Sequence, residues 1–568
     1  MIRKFIPALV LAAAVVVGAC EEQLTVTNPN AGETERVLGT PNDAEALIST
    51  YYKRWHFGVY STGFNTTTIE GMSNIFALMN YSSLANDCQN VHAPFTGATN
   101  FNQPGNVCAG QQSRLFSVMG EVNRVSSSFL ARMKAGLTLG TLARDARARS
   151  WAEFLNGLSL GYVALMHDSG AVVTENTGPE EVPALVSYKV VADSAMAAFG
   201  RAITEASKPG VTAGDGFPIP NTWLPSPTSW TVANYVALVR SYRARIRANV
   251  ARTPAERAAV DWAAVIADAQ NGIAANHLNT TSTTVGPGNG WRATYHTYGL
   301  WHQMPAFFIG MADVSGSYAA WIATPLGERG SGNVGFLMAT PDLRFPQGVG
   351  RAAQQADFNI QSCQAAATPC KRYFVNRPAG GDQYAGLAWG YSNYDFVRFH
   401  SWSVAGDGGS ARNGNTPFMV KAEVDMLQAE GLYRTGNYAA AAALVNVTRV
   451  TNGLPAITAF DATSPVPGGA VNCVPKVPVA PFTVVACGNL WEAIKYEKRI
   501  ETAYTHYSAW FLENRGWGDL PIETPLFWAV PFGELQARGV PVSRIYGAGT
   551  GTGNAPNSFT PVKSTYGW

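Results

Sequence analysis

The sequence predicts a mainly α protein made of tetratricopeptide-like helical pairs with long, irregular, loop-rich insertions. Apolar residues recur at helical spacing in several segments, as they do in amphipathic helices. Some of these segments follow one another after a short turn, like the two helices of a repeat pair. Long stretches dominated by Gly, Pro, Asn, Thr and Ser separate them, and such stretches are commonly functional. We therefore expect a helical scaffold and a loop-rich part that faces a ligand.

Helical spacing and end signals place the predicted helices. Thr253, Pro254 and Glu256 have the pattern of an N-terminal capping box, and Gly436 supplies a left-handed residue that ends a helix. The predicted helices cover about residues 43–54, 151–165, 188–203, 232–246, 253–266, 418–434, 438–450 and 490–515. The stretches predicted to be irregular are 65–110, 208–228, 278–417 and 456–488.

The start of the chain has the pattern of an export signal. Arg3 and Lys4 precede a short apolar run, and small residues precede Cys20. An apolar run this short is typical of a cleaved leader and too short for a membrane-spanning helix. Bacterial lipoproteins are acylated on a cysteine in this position, so we predict that Cys20 is lipidated and holds the protein at a membrane. An ordinary cleaved leader with a chance cysteine is the alternative.

The predicted organisation follows from this signal and from the helix pattern. The protein proper is expected to be one domain whose helical scaffold is interrupted by a loop-rich, ligand-facing insert. The expected segments are a signal peptide at 1–19, a lipid anchor and tether at 20–42, and a domain at 43–568, with scaffold at about 43–277 and 418–521 and insert at about 278–417.

Composition limits the class of partner. The formal net charge is +2 and only 14% of the residues are charged, against roughly 25% in typical soluble domains. The chain shows no basic stripe with interleaved aromatic residues, so we expect no nucleic-acid partner. The 15 tryptophans and the many neutral polar residues suit a neutral ligand such as a sugar, although tryptophans also fill protein cores.

The cysteines apart from Cys20 fall into pairs of near neighbours in sequence, and export would expose them to oxidising conditions. We predict local disulfides for these pairs, from proximity alone, since six cysteines allow fifteen pairings. The pairs are Cys88 with Cys108, Cys363 with Cys370, and Cys473 with Cys487. No cysteines have the spacing of a zinc site, and the loop at Asp313 lacks the spacing of a calcium loop, so we predict no metal and no cofactor.

The C-terminal third resembles a known family. The helical hairpin there and the Glu-Arg-rich helix that follows are similar to those of SusD/RagB-like outer-membrane lipoproteins. The segments that carry the resemblance are 419–431, 436–438, 445–449, 452–455, 490–501, 515–519 and 531–535. After Tyr504 the family has an acidic residue, a glycine and an arginine, whereas this chain has Thr505, His506, Tyr507 and Ser508, so it would be a divergent member.

The resemblance implies a function. SusD-like proteins are cell-surface lipoproteins that capture nutrients, often oligosaccharides, and act as a lid on a SusC-like, TonB-dependent outer-membrane transporter. They catalyse nothing. The resemblance therefore implies a SusD-like fold, an outer-membrane location facing the cell exterior, and an oligosaccharide or other nutrient as ligand.

Residues for a sugar site are concentrated in the insert. Sugar rings stack their C–H faces on aromatic side chains, while their hydroxyl groups need amide, carboxylate or guanidinium partners. Two stretches, 289–302 and 382–394, combine both kinds of residue, and a loop before Cys88 adds a tyrosine. The predicted ligand-binding residues are Tyr81, Trp291, Arg292, Tyr295, Tyr298, Trp301, Asp382, Trp389 and Tyr391. Any one of these rings could instead pack inward.

Two other classes of function stay open at this point. A helical glycoside hydrolase would need two carboxylates about 5–9 Å apart, and Glu70, Asp382 and Asp395 are available in predicted loops. No nucleophile-elbow motif is present, and no pair of acids stands out. A helical scaffold or adhesin would expose a broad apolar groove along its helical pairs. The concentration of Trp and Tyr in the loops favours a binding protein.

Overall fold

Helices make up most of the described chain, so the predicted mainly α fold is confirmed. The structure, a computed structural model, describes residues 38–60, 69–79, 102, 110–211, 216–281, 304–329, 336–359, 370–376, 392–398, 414–506, 508–540, 560 and 562–568. The helices of this part are α1 (Pro41–Tyr60), α2 (Ile69–Phe76), α3 (Gly110–Lys134), α4 (Leu142–Met166), α5 (Tyr188–Ala206), α6 (Val232–Asn249), α7 (Pro254–Ala258), α8 (Trp262–Gln270), α9 (Ala306–Ile309), α10 (Ser317–Ala323), α11 (Arg351–Asp357), α12 (Lys421–Arg434), α13 (Tyr438–Thr451), α14 (Gly469–Asn472), α15 (Leu490–Thr502), α16 (Ala509–Trp517) and α17 (Phe532–Ala537).

The strands of the described residues form antiparallel pairs. The strands are β1 (Ser169–Ala171), β2 (Leu185–Ser187), β3 (His277–Thr281), β4 (Phe374–Asn376), β5 (Tyr394–Phe396), β6 (Gly414–Met419), β7 (Lys476–Val479) and β8 (Val484–Cys487). They pair as β1–β2, β3–β6, β4–β5 and β7–β8. The β3–β6 pair brings residues on either side of the insert together. Among the described helices, none combines the length and hydropathy of a membrane-spanning segment.

Helix α4 lies at the centre of the main core. Every residue from 150 to 166 is buried, so the helix has neighbours on all sides rather than on the one apolar stripe seen in the sequence. The indole of Trp151 donates a hydrogen bond to the carbonyl of Ile48 on α1 (3.0 Å). Gly157 lets α5 approach, because an added Cβ would lie 2.6 Å from the ring of Phe199.

The helix predicted over 253–266 is two helices. The Thr253 hydroxyl accepts a hydrogen bond from the backbone of Glu256 (3.2 Å) as predicted, but α7 ends at Ala258. The Asp261 carboxylate then caps α8 by accepting from the backbone of Ala264 (3.0 Å). A second N-cap residue inside the predicted helix therefore starts a new one.

The C-terminal hairpin folds as α12 and α13. Gly436 has φ +82° between the two helices, which confirms it as the stop. Helix α12 begins at Lys421 rather than at the predicted Phe418. Phe418 belongs to β6, which pairs with β3, so a strand partner far away in sequence decides the backbone conformation there.

The prediction of one continuous helix over 490–515 is also wrong, because this segment forms two helices, α15 and α16. Tyr504 and Ser508 have positive φ (+52° and +66°), which no continuous helix allows. The Ser508 backbone N–H donates to the side-chain oxygen of Asn74 on α2 (2.9 Å). Helix α2 lies in a stretch predicted to be irregular, so neither the break nor its partner is evident from the local sequence.

One of the predicted disulfides is confirmed within the described residues. Cys473 and Cys487 are bonded, across the β7–β8 hairpin. Cys370 is also disulfide-bonded. Its predicted partner, Cys363, lies outside the described residues, and so do Cys20, Cys88 and Cys108.

Histidine 56 on α1 gives a testable pH dependence. The ring is 1% exposed, and neither nitrogen has a hydrogen-bond partner in the part of the chain that the structure describes. It lies against Tyr60 and Phe418, with ring centroids 4.9 and 5.2 Å away. Burial lowers the pKa of His56 to about 3. The folded state therefore keeps this ring neutral at any pH near neutrality.

We expect His56→Phe to flatten the pH dependence of stability. Below about pH 6.5 the unfolded chain binds a proton that the folded chain binds only near pH 3, so stability is lost as the pH falls through this window. The loss is about 1.4 kcal/mol per pH unit for one such histidine. Urea unfolding of both proteins at pH 7, 6 and 5 measures it. Equal slopes for wild type and variant would show that His56 is not neutral in the folded state.

Candidate functional site

The residues predicted to bind ligand all lie outside the described residues. They are Tyr81, Trp291, Arg292, Tyr295, Tyr298, Trp301, Asp382, Trp389 and Tyr391. These assignments stay predictions. The structure does describe the β3–β6 pair at the two ends of the insert. It also describes aromatic rings of the insert and buried acids near it.

The β3–β6 pair is the base of the insert. Thr281 at the end of β3 lies opposite Gly414 at the start of β6, so the chain leaves and re-enters the scaffold at one place. Two side-chain bonds fasten this base: Asn279 donates to the hydroxyl of Tyr52 on α1 (2.6 Å), and Thr280 donates to Asn415 across the pair (2.9 Å). Both predicted aromatic stretches therefore belong to a segment with anchored, adjacent ends.

Aromatic rings of the insert that the structure describes pack inward. Phe345 and Phe374 are stacked with centroids 4.3 Å apart. Tyr394, at the end of the second aromatic stretch, is fully buried, and its hydroxyl lies 2.9 Å from the side-chain oxygen of Gln354. These described rings belong to the core, and none of them is among the residues predicted to bind ligand.

A buried ionic cluster joins the insert to α15. The guanidinium of Arg344 donates to Asp342 (2.7 Å) and to Glu497 (2.7 Å), and lies 3.1 Å from Glu501. Arg398 pairs with Glu501 at 3.0 Å, while Arg449 lies 3.6 Å from Glu497. The carboxylates and guanidinium groups in this cluster balance in charge, three against three.

The two ring hydroxyls beside this cluster complete its hydrogen bonds. Tyr496 donates to Asp342 (2.6 Å), and Tyr373 donates to Glu501 (3.0 Å). Burial raises the pKa of Tyr373, and the adjacent carboxylate of Glu501 adds to that rise. Both phenols therefore stay protonated and act as donors.

A second buried cluster joins α7, α12 and α16. Arg257, fully buried, contacts Glu430 and Glu513, each at 2.6 Å. Lys498 on α15 also pairs with Glu513 (2.6 Å). Burial alone would raise the pKa of Glu430, but the guanidinium of Arg257 outweighs it and holds this pKa below its ordinary value. The Glu430 carboxylate therefore stays ionised and paired with Arg257.

The acids considered for hydrolysis are not brought together by the described residues. Asp382 lies outside them, and so does the side chain of Glu70. Asp395 is 3% exposed on β5, which places it inside the fold rather than along an open cleft. The clustered carboxylates are held by cations, which suits a structural role better than proton transfer. Among the described residues, no group of three or more His, Cys, Asp or Glu side chains is arranged to hold a metal ion.

Comparison with known proteins gives matches in structure. No protein-family model matches the sequence, and no curated protein is significantly similar to it. A SusD superfamily protein from Bacteroides fragilis is 12% identical, with a TM-score of 0.47 over 89% of this chain and 100% of that one. A SusD-like carbohydrate binding protein from Bacteroides vulgatus is 13% identical, with a TM-score of 0.44 over 86% of each chain. A laminarin binding SusD-like protein is 13% identical, with a TM-score of 0.44 over 88% of this chain and 97% of that one.

One segment with the SusD-like sequence pattern, helix α15, has a structural role in this chain. All but one of the charged residues of the Glu-Arg-rich helix α15 are buried and paired, and the exception, Glu492 in its first turn, is partly exposed. The buried members are Lys495, Glu497, Lys498, Arg499 and Glu501. Sequence reasoning missed this role, although a signal exists: a 13-residue helix this rich in charge has to be surrounded by complementary charges if it lies in a core.

Proposed function

We propose that this chain is a lipid-anchored outer-membrane protein that faces the cell exterior and captures an oligosaccharide without changing it. It delivers the oligosaccharide to a SusC-like, TonB-dependent transporter. The observation that carries the proposal lies in the C-terminal third of the chain. The hairpin α12–α13 and helix α15 carry the SusD/RagB-like sequence pattern, and buried ion pairs hold these helices in the fold. The proposed anchor is Cys20, behind an export signal.

The use of charge in the described residues supports capture over catalysis. Catalytic acids need an open cleft and a pKa suited to proton exchange. The acids that pair with Arg257 and Arg344 are instead buried against guanidinium groups. The residues that the sequence offers for a ligand are mainly aromatic or neutral and polar. They are concentrated in the insert, whose two ends are held together by the β3–β6 pair.

The test compares binding by the mature protein, with Cys20→Ser to keep it soluble, and by a variant in which Trp291, Trp301 and Trp389 are all alanine. The panel contains neutral polysaccharides, including laminarin, and peptides. We expect binding of one polysaccharide and at least about a tenfold loss of affinity in the triple variant, since buried tryptophans dominate binding free energy.

The matched control is Phe460→Ala, which removes an aromatic ring that is 53% exposed and lies outside the insert. It is expected to bind like the parent protein. Equal loss in both variants, or no loss in the triple variant, would contradict the proposed ligand face. Delivery is tested separately, by uptake of the labelled polysaccharide fragment in cells with and without the protein.

A further inference from the structure

A groove of about 520 Å³ opens between the start of α6 and the segment that joins α8 to β3, and it includes the start of β3. We call it the α6–α8 groove. Two rings, those of Trp230 and His277, form part of its wall, together with hydroxyl and carboxamide side chains such as Thr228, Asn234 and Asn276. This volume and this mixture of apolar wall and a few polar groups are typical of small-molecule sites.

The ring wall of the groove is built before any ligand arrives. The indole of Trp230 donates to the carbonyl of Leu224 (2.9 Å), and its ring centroid lies 5.4 Å from that of His277. His277 is 5% exposed and its backbone pairs with Met419 in the β3–β6 ladder. Trp230 is 7% exposed, so the two rings support the groove from within, and a ligand that packs against this wall would not have to order it first.

Two carboxamides of the groove have their oxygen used and their nitrogen available. The side-chain oxygen of Asn234 accepts from the backbone N–H of Thr231 (2.8 Å), which is half of the capping box of α6. That of Asn276 accepts from the backbone N–H of Lys421 (2.8 Å). Neither NH₂ group donates a hydrogen bond to any described residue, and both asparagines are exposed. The groove therefore offers two oriented donor groups to a ligand oxygen.

Charge decides the class of ligand. None of the described residues that line the groove has a charged side chain, and a charged ligand would lose its hydration there without an opposite charge in return. A wholly apolar ligand would cover the two NH₂ groups without giving them an acceptor. A sugar ring has an apolar C–H face for the apolar part of the groove wall, and hydroxyl oxygens for the donors.

We infer that the α6–α8 groove binds one or two units of a neutral sugar, at a site built by residues other than those of the aromatic stretches. The choice of sugar rests on the proposed function, whereas the location rests on the groove alone. A second site on the scaffold would hold one end of a long glycan while the insert holds another, and linked sites of this kind raise the overall affinity.

The test measures saturation transfer by NMR from the protein to the methyl glycosides of glucose, galactose and mannose. Ala233→Trp places an indole in the groove from an exposed position on α6. Ala263→Trp, exposed on α8 and not part of the lining, is the matched control. We expect the signal of at least one glycoside to fall about tenfold in Ala233→Trp and to persist in Ala263→Trp.

The triple tryptophan variant of the insert separates this inference from the proposed function. We expect it to lose polysaccharide capture and to keep the glycoside signal. Absence of transfer from the wild-type protein to any of the glycosides would overturn the inference, and so would an unchanged signal in Ala233→Trp. If the glycosides bind in the groove but no polysaccharide is captured, the proposed function fails and the groove assignment stands.

Discussion

Replacing Arg344 with alanine is expected to lower the free energy of unfolding by about 3–5 kcal/mol, the usual cost of breaking a buried ion pair. Arg344 is fully buried, and three carboxylates share its guanidinium. Without it, Arg398 and Arg449 remain to balance Asp342, Glu497 and Glu501, so one negative charge is left buried and uncompensated. Chemical denaturation at pH 7 measures the loss.

The effect of Arg344 depends on geometry as well as charge. Arg344→Lys should also be strongly destabilising, because an ammonium group cannot replace a planar fork that reaches Asp342 and Glu497 at once. Arg54→Ala is the matched control. Its partner is Glu121, and the two side chains are 42% and 39% exposed, so we expect a loss of only about 0–1 kcal/mol. Similar losses for Arg344→Ala and Arg54→Ala would contradict the buried cluster.

Gly157→Ala is expected to lower the free energy of unfolding by about 1–3 kcal/mol, the cost of overpacking a filled core. An added Cβ would lie 2.6 Å from two ring atoms of Phe199. Phe199 is fully buried, with its ring centroid 6.2 Å from that of Phe154. The ring therefore has little room to move, and α4 and α5 must separate.

The control is a helical glycine with space around it. Gly120 is exposed on α3, and an added Cβ would meet no atom within 4 Å. Gly120→Ala should be neutral or stabilising by up to about 1 kcal/mol, because alanine loses less backbone entropy on folding. Opposite signs for the two substitutions are expected in thermal or urea unfolding. Equal destabilisation would mean that glycine replacement in these helices costs stability for a reason other than contact with Phe199.

Local sequence signals were sufficient to predict a helix where an apolar stripe marks its buried face, or where a single glycine marks its end. The stripe that begins at Trp151 and the left-handed glycine at 436 both predict helices that are observed. A signal of this kind depends on neighbours within a few residues, so the rest of the fold does not obscure it.

Distant contacts decide the features that the sequence did not predict. Phe418 is in a strand because β3 lies beside it, and the chain turns before Ser508 where Asn74 accepts its N–H. Both partners are far away in sequence. The burial of Arg257 and Arg344 depends in the same way on acids from other helices, and the sequence shows these charges without their partners.

The candidate sites also differ in whether local sequence or distant contacts determine them. The sequence predicts a sugar site in the aromatic stretches of the insert, because sugar binding requires aromatic rings beside polar side chains and these stretches contain both. The α6–α8 groove has no such signature. Trp230, Asn234 and His277 come together only when β3 lies against the start of α6, and none of them is unusual in its own segment.

The most direct test of capture without catalysis is a time course. The mature protein, with Cys20→Ser, is incubated with the polysaccharide that it binds best, while the bound fraction and the concentration of new reducing ends are followed together. We expect saturable binding that stays constant and no new reducing ends. New reducing ends in proportion to protein concentration would make the chain a hydrolase, and no binding across the panel would leave a helical scaffold as the better account.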